Sequence, residues 1–499
     1  MILKKLMLAV AAATVMPTAA HAEWVEASSK HFLVYGDMSQ NEAKSWAERL
    51  ERIDHFLREA SGVGNDESLG RVTVYVVPSM EAVQRLYGGN RNIGGFYNAD
   101  AQGFLAVTPR AIPSEYKIKP QQVLFHEYTH HIMVRSESGL FPAWVQEAFA
   151  EFFSTIYTDT KGNLVIGAPP LDRGYSLEQQ FRMTVPELLT SSDRKMSQDE
   201  VPHMYARGWL LLHYLMMDKD RSGQLTKYLT MVGRGTPSLE AGKQAFGDLG
   251  KLDAELSAYY RSGKFTVAKV PASQYPIGTV QTRALRPCEA KIMPVRTRSA
   301  VGVSEKTAPG VAALARREAA GCENDAFVQR TLAETEFDAK NNQGSMAAAD
   351  RALTLDPQNI MAMLYKGRVY ARQGNWAEAR KWYVRANKLD PNYALPLVLY
   401  YDSFARAGQK PSDAAMKGLL RAAMIVPQDQ TIRLRVVREL LVQNDMEGAK
   451  TVLAPLALAP HQDPDSGPRK IYRMLQSGSD TKTVLAAADK EKWNEIGKE

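Results

Sequence analysis

The chain has 499 residues and a formal net charge of +7, with 45% hydrophobic and 23% charged residues. That length holds two or three domains, each large enough to bury its own core. The ordinary composition excludes disordered and fibrous classes, and the mild, scattered basic charge leaves no footprint for nucleic acid as a partner.

Lys4 and Lys5 precede an apolar run over residues 6–15, and Ala20-His21-Ala22 has the small-x-small form of a cleavage site. Residues 1–22 therefore read as a signal peptide, with the mature chain starting at Glu23 in the periplasm or outside the cell. The run is too short for a stable anchor. Charges interrupt every later apolar stretch, so no membrane span is expected in the mature chain.

Along residues 23–113 strand and helix signals alternate. Residues 31–35 and 71–77 read as strands, separated by a helix over 41–60 with Trp46, Leu50, Ile53 and Leu57 on one face. Ser79 is placed to cap a short helix ending at Leu86. Phe96-Tyr97 and residues 103–108 flank a turn-like stretch at 98–102, which predicts a hairpin. Two consecutive helices follow over 120–135 and 142–157, each with a proline near its first turn, joined by a loop at 136–139. Further helices are predicted over 204–217, 223–232 and 252–260. Residues 266–304, rich in Pro, Thr and Arg with short strand-like runs, read as a linker. They contain Cys288 and precede Cys322, the two cysteines of the chain. In an oxidising compartment these can close a loop worth roughly 3–4 kcal/mol, but the sequence alone leaves their pairing open.

The remainder is repetitive. Pro357, Pro391, Pro427 and Pro460 recur at intervals of 34, 36 and 33 residues. A period near 34 closed by proline is the tetratricopeptide signature, here over 305–465 with a helical tail at 466–499. Residues 360–391 fit best. Gly367, Tyr370, Ala379, Tyr383 and Ala386 take the small and aromatic positions that let paired helices approach.

His126-Glu127-Tyr128-Thr129-His130 carries the chemistry. On a helix, positions i and i+4 share a face, so both imidazoles reach one zinc ion, with Glu127 beside it as general base. A third ligand is required, leaving the fourth position to water. Glu147 lies seventeen residues after His130 on the next predicted helix and is assigned that role. Glu151, one turn further on, is assigned as the acceptor for the outer ring N–H of a ligating histidine. His131 points elsewhere on the helix, and His213 and Tyr214 read as core or helix-surface residues.

HEYTH followed by WVQEAFAEFF resembles the thermolysin-like gluzincin clan, in its peptidase MA-like branch, over about residues 23–265. The resemblance implies an α+β zincin-like domain with zinc at His126, His130 and Glu147 and with Glu127 as base. It also implies a later-helix Tyr or His stabilising the oxyanion, for which Tyr205 is the first candidate and His203 the second. The activity implied is zinc-dependent hydrolysis of a peptide or protein substrate, with the repeats binding a protein partner. The edge strand of the hairpin would pair with the extended peptide, Gly94 and Gly95 allowing close approach. The alternative is a non-catalytic periplasmic repeat scaffold whose zinc-binding domain is a pseudopeptidase.

Overall fold

The computed structural model describes residues 24–64, 70–89, 93–112, 119–135, 141–170, 178, 183–459, 463 and 465–493. The signal segment, the 136–139 loop and Pro460 lie outside them. No helix among the described residues is long and apolar enough to cross a membrane.

The amino-terminal part is α+β. Its elements are β1 (Trp24–Ser28), β2 (Phe32–Asp37), α1 (Gln40–Ala60), β3 (Val72–Val77), α2 (Met80–Leu86), β4 (Phe96–Asp100), β5 (Gly103–Pro109), α3 (Pro120–Arg135) and α4 (Ala143–Ser154). There follow β6 (Tyr157–Thr158), β7 (Leu164–Ile166), α5 (Val185–Leu189), α6 (Glu200–Met217), α7 (Gln224–Gly233), α8 (Ser238–Phe246), α9 (Leu249–Ser262), β8 (Ala268–Val270) and β9 (Gln281–Ala284). The main sheet has the order β4-β5-β3-β2-β1-β9, with β2-β3 and β3-β5 parallel and the other pairs antiparallel. β3, central, is a nearly unbroken apolar run, as a strand covered on both faces must be. α1 opens where the Ser39 side chain accepts from the Glu42 amide, and it buries Trp46, Leu50, Ile53 and Leu57.

The carboxy-terminal part is a stack of helix pairs: α10 (Pro287–Ala300), α11 (Ala308–Ala319), α12 (Ala326–Asp338), α13 (Asn342–Leu355), α14 (Ile360–Arg372), α15 (Trp376–Leu389), α16 (Ala394–Arg406), α17 (Asp413–Ile425), α18 (Gln430–Val442), α19 (Met446–Ala457), α20 (Gly467–Gln476) and α21 (Thr481–Lys490). Its caps recur with the repeat: the side chains of Asn341, Asn359, Asn375, Asp429 and Asp445 each accept an amide three residues on. Gly367 lies against Tyr383, where a Cβ would come within 2.6 Å of the ring. Close packing of α14 on α15 therefore requires glycine there.

The stretch 266–304, read as a linker with short strands, carries two strands and a helix. β8 pairs with β7, β9 pairs with β1 at the sheet edge, and α10 starts the helical stack. β9 reads QTRA and is mostly exposed, so it lacks the hydrophobic alternation that marks a strand. α10 contains Pro294, a residue that argues against helix in a sequence. The helix expected over 142–157 ends at Ser154, with Tyr157 already in β6. β1, α5 and α8 had no counterpart among the predicted elements.

The two parts share one hydrophobic core. Val398, Tyr401, Leu419, Ile425 and Ile432 of the repeats pack in the cluster that holds Phe104, Phe125 and Ile132. Cys288 and Cys322 form a disulfide with a Cα–Cα distance of 5.7 Å and a sequence separation of 34. It joins α10 to the turn before α12. Thiol titration of the native oxidised chain is expected to find no free cysteine. The Cys288→Ser/Cys322→Ser variant should lose about 3 kcal/mol of stability for a loop of this size, measured as a lower urea midpoint for the repeat helices.

Candidate metal centre

α3 is buried on one side and open on the other. Leu124, Phe125, Tyr128, Thr129, His131, Ile132 and Met133 are buried, while Val123, His126, Glu127, His130 and Val134 are half-buried along the other face. His126, Glu127 and His130 thus share an accessible strip, as helical spacing requires. α4 packs against α3, and every residue of it except Phe149 is buried. It carries Glu147, 0% exposed, and Glu151, 3% exposed, into the interior beneath the two histidines.

The structure brings the three sequence-assigned ligands together. Glu147 Oε2 lies 3.3 Å from His126 Nε2, and Glu147 Oε1 lies 3.5 Å from His130 Nε2. All three donor atoms fall within 4.8 Å of one another. Bonds of about 2.0–2.1 Å to a tetrahedral zinc imply about 3.3–3.4 Å between ligand atoms, so the donor set fits such an ion. Glu151 Oε1 lies 3.2 Å from His126 Nδ1 and so directs the opposite nitrogen at Glu147. Burial by itself lowers the pKa of His126, but the hydrogen bonds and charges of Glu147 and Glu151 outweigh it and hold the imidazole well above its ordinary value. Two carboxylates meeting two imidazoles favour a cation at this place.

Tyr205, in the first turns of α6, sets its ring edge-on to His126 with centroids 6.3 Å apart. No such ring contact with His126 is found for His203 among the described residues. His213 is structural: it is buried, its Nε2 is 2.9 Å from the Gly167 carbonyl, and its Nδ1 is 2.9 Å from the Tyr259 hydroxyl. Tyr214 packs on Tyr259. His131 is buried between Tyr128 and Phe104. Burial, then the charges of Arg135 and Arg58, push its pKa well below the ordinary value.

Sequence reasoning missed what holds the back of α3. The Tyr128 hydroxyl donates to Asp54 of α1, whose carboxylate also takes Arg58 Nε at 2.7 and 2.9 Å. His31 Nδ1 stands 2.8 Å from Glu51 and 3.0 Å from Asp54. His31, Glu51 and Asp54 meet the spacing of a metal site, yet Arg58 already neutralises Asp54, and a second cation there would be repelled. This cluster is a polar network that pins α3 to α1. Its signal was legible as Asp54 and Arg58, an i,i+4 pair on the face of α1 that also carries Leu50, Ile53 and Leu57.

Among the comparisons with known proteins, the family match falls in the repeats. The tetratricopeptide repeat family matches residues 361–393. The cellulose synthase 1 operon protein C of Komagataeibacter xylinus is 30% identical over 168 residues, which are 32% of this chain and 12% of that protein. The cellulose synthase operon protein C of Komagataeibacter sucrofermentans is 32% identical over 136 residues, 26% of this chain and 10% of that protein. The chain therefore spans about a tenth of the length of these relatives. It is a repeat-containing protein with a mixed α+β amino-terminal part.

Glu151→Gln is expected to weaken metal binding about 10–100-fold, because the amide holds His126 less firmly and polarises it less. Competition with a chromophoric chelator measures this, and His130→Ala should abolish stoichiometric binding in the same assay.

Proposed function

We propose that the chain is a zinc-dependent peptidase of the periplasm, with a tetratricopeptide-repeat region for protein binding. The observation that carries this reading is the convergence of His126, His130 and Glu147, with donor atoms within 4.8 Å of one another, and Glu127 on the same open strip of α3. Zinc at these residues would polarise the scissile carbonyl and acidify the attacking water. Glu127 takes the proton of that water and delivers it to the leaving amine. The Tyr205 hydroxyl donates to the oxygen that gains charge in the transition state. Glu151 keeps the proton of His126 on Nδ1, so that Nε2 remains a ligand. The outer edge of β4, with no strand partner among the described residues, offers main-chain groups to an extended substrate.

A second reading is a non-catalytic periplasmic scaffold that works through its repeats and keeps a zinc-binding pseudopeptidase domain. It is favoured by the reach of the family match and of the relatives, which support a repeat protein and do not bear on hydrolysis.

Zinc analysis and casein cleavage on the mature chain separate the two readings. Wild type and Glu127→Gln should each hold about one zinc, with cleavage lost in the variant. Zinc without cleavage of casein or a peptide library in wild type would favour the scaffold. Tyr205→Phe should lower kcat about 100-fold with KM changed less than about twofold, as expected for a contact made only in the transition state.

A further inference from the structure

Hydrogen bonds from the repeats to α3 and the hairpin gather at the end of α17 and in the four residues between α17 and α18. Gln428 Nε2 donates to the main-chain carbonyl of His131 on the ligand helix at 3.0 Å. Asp429 Oδ2 accepts from the amide of Ala101, in the turn of the β4–β5 hairpin, at 2.9 Å. Arg135, at the end of α3, donates to the Ile425 carbonyl at 3.0 Å. The edge strand and α3, which the peptidase reading places on either side of an extended substrate, are therefore both bonded to this one segment of the repeats.

A direct bond also ties the walls together. Arg135 Nε donates to His131 Nε2 at 3.2 Å, which leaves the ring proton on Nδ1. That N–H donates to the Tyr97 hydroxyl of β4 at 2.5 Å. With Nδ1 protonated, the Gln428 amide cannot donate to the ring, and its bond to the His131 carbonyl is the one that counts. Ala101 packs against the same cluster of repeat residues as Met361 and Tyr393, so α14 and α15 support the hairpin tip as well. The hairpin is thus propped at its turn by the repeats and along its length by α3.

We propose that Gln428 and Asp429 are positioning residues: they set the gap between β4 and α3 and so the affinity for an extended peptide. The repeat array is then a wall of the slot as well as a docking surface. This inference rests on the peptidase reading, and its test is built so that the two fail separately.

Asp429 also caps α18 through the Ile432 amide. Asp429→Ser keeps a capping hydroxyl but is too short to reach Ala101. Asp445→Ser makes the same change at the cap of α19 and serves as the control. On the full zinc-loaded chain, Asp429→Ser and Gln428→Ala should each raise KM for an unstructured peptide about fivefold, with kcat and zinc content held. Amide exchange over residues 97–103 should quicken about tenfold, and Asp445→Ser should leave both readouts at wild-type values. Unchanged KM in active variants, or a joint fall of kcat and zinc content, overturns the proposal. If wild type binds zinc and cleaves nothing, the peptidase reading has failed. Exchange then judges the clasp alone, and unaltered exchange in both variants refutes it.

Discussion

The carboxylate of Glu147 lies wholly inside the protein and faces two imidazoles. A buried carboxylate is costly unless a cation or several hydrogen bonds meet it, and much of the amino-terminal structure serves that requirement. α4 is buried on nearly every side, which fixes the carboxylate without reliance on a loop. Glu151, one turn on, orients His126 from behind. The histidines come from a helix that is itself pinned, through Tyr128, to the Asp54–Arg58 pair of α1. Side chains held in this way would need little rearrangement to receive an ion, which is the structural content of preorganisation.

The repeats do not form a separate body. They share a core with the α+β part and meet it again where Arg469 donates to the Ser192 carbonyl at 2.7 Å and Lys195 pairs with Asp463 at 3.1 Å. Arg296 and Glu334, 2.8 Å apart, line a polar gap with Tyr75 and Asn98 between the sheet and the helical stack. A partner bound to the repeats would therefore act on elements that touch the hairpin and the ligand helix, a short physical path of the kind that coupling requires.

Local rules made much of this legible. The helix of HEYTH, the returning helix with Glu147 and Glu151, and the hairpin all followed from periodicity, prolines and turn residues, because each is decided within a few turns of chain. Gly367 and Tyr383 showed the repeat because a close helix pair leaves a small residue opposite a large one. The strands of 266–304 showed only as short strand-like runs, because an exposed edge strand such as β9 needs no apolar alternation, while α10 was hidden, since Pro294 masks a helix that packing enforces. The turn of the hairpin fell later than the polar run suggested, since Asn98 and Asp100 belong to β4. The contacts of Gln428 and Asp429 span about 300 residues of chain, and no sequence pattern encodes a meeting of that range. The candidate ligands were thus local information, while the support around them was tertiary.

The central claim is that one metal ion sits among His126, His130 and Glu147. Anomalous diffraction at the zinc absorption edge, on crystals of the purified mature chain, tests it most directly. The account predicts a single strong peak about 2.0–2.1 Å from both Nε2 atoms and a Glu147 oxygen. A zinc-supplemented crystal with no peak there, or with its peak at His31, Glu51 and Asp54 instead, would contradict it.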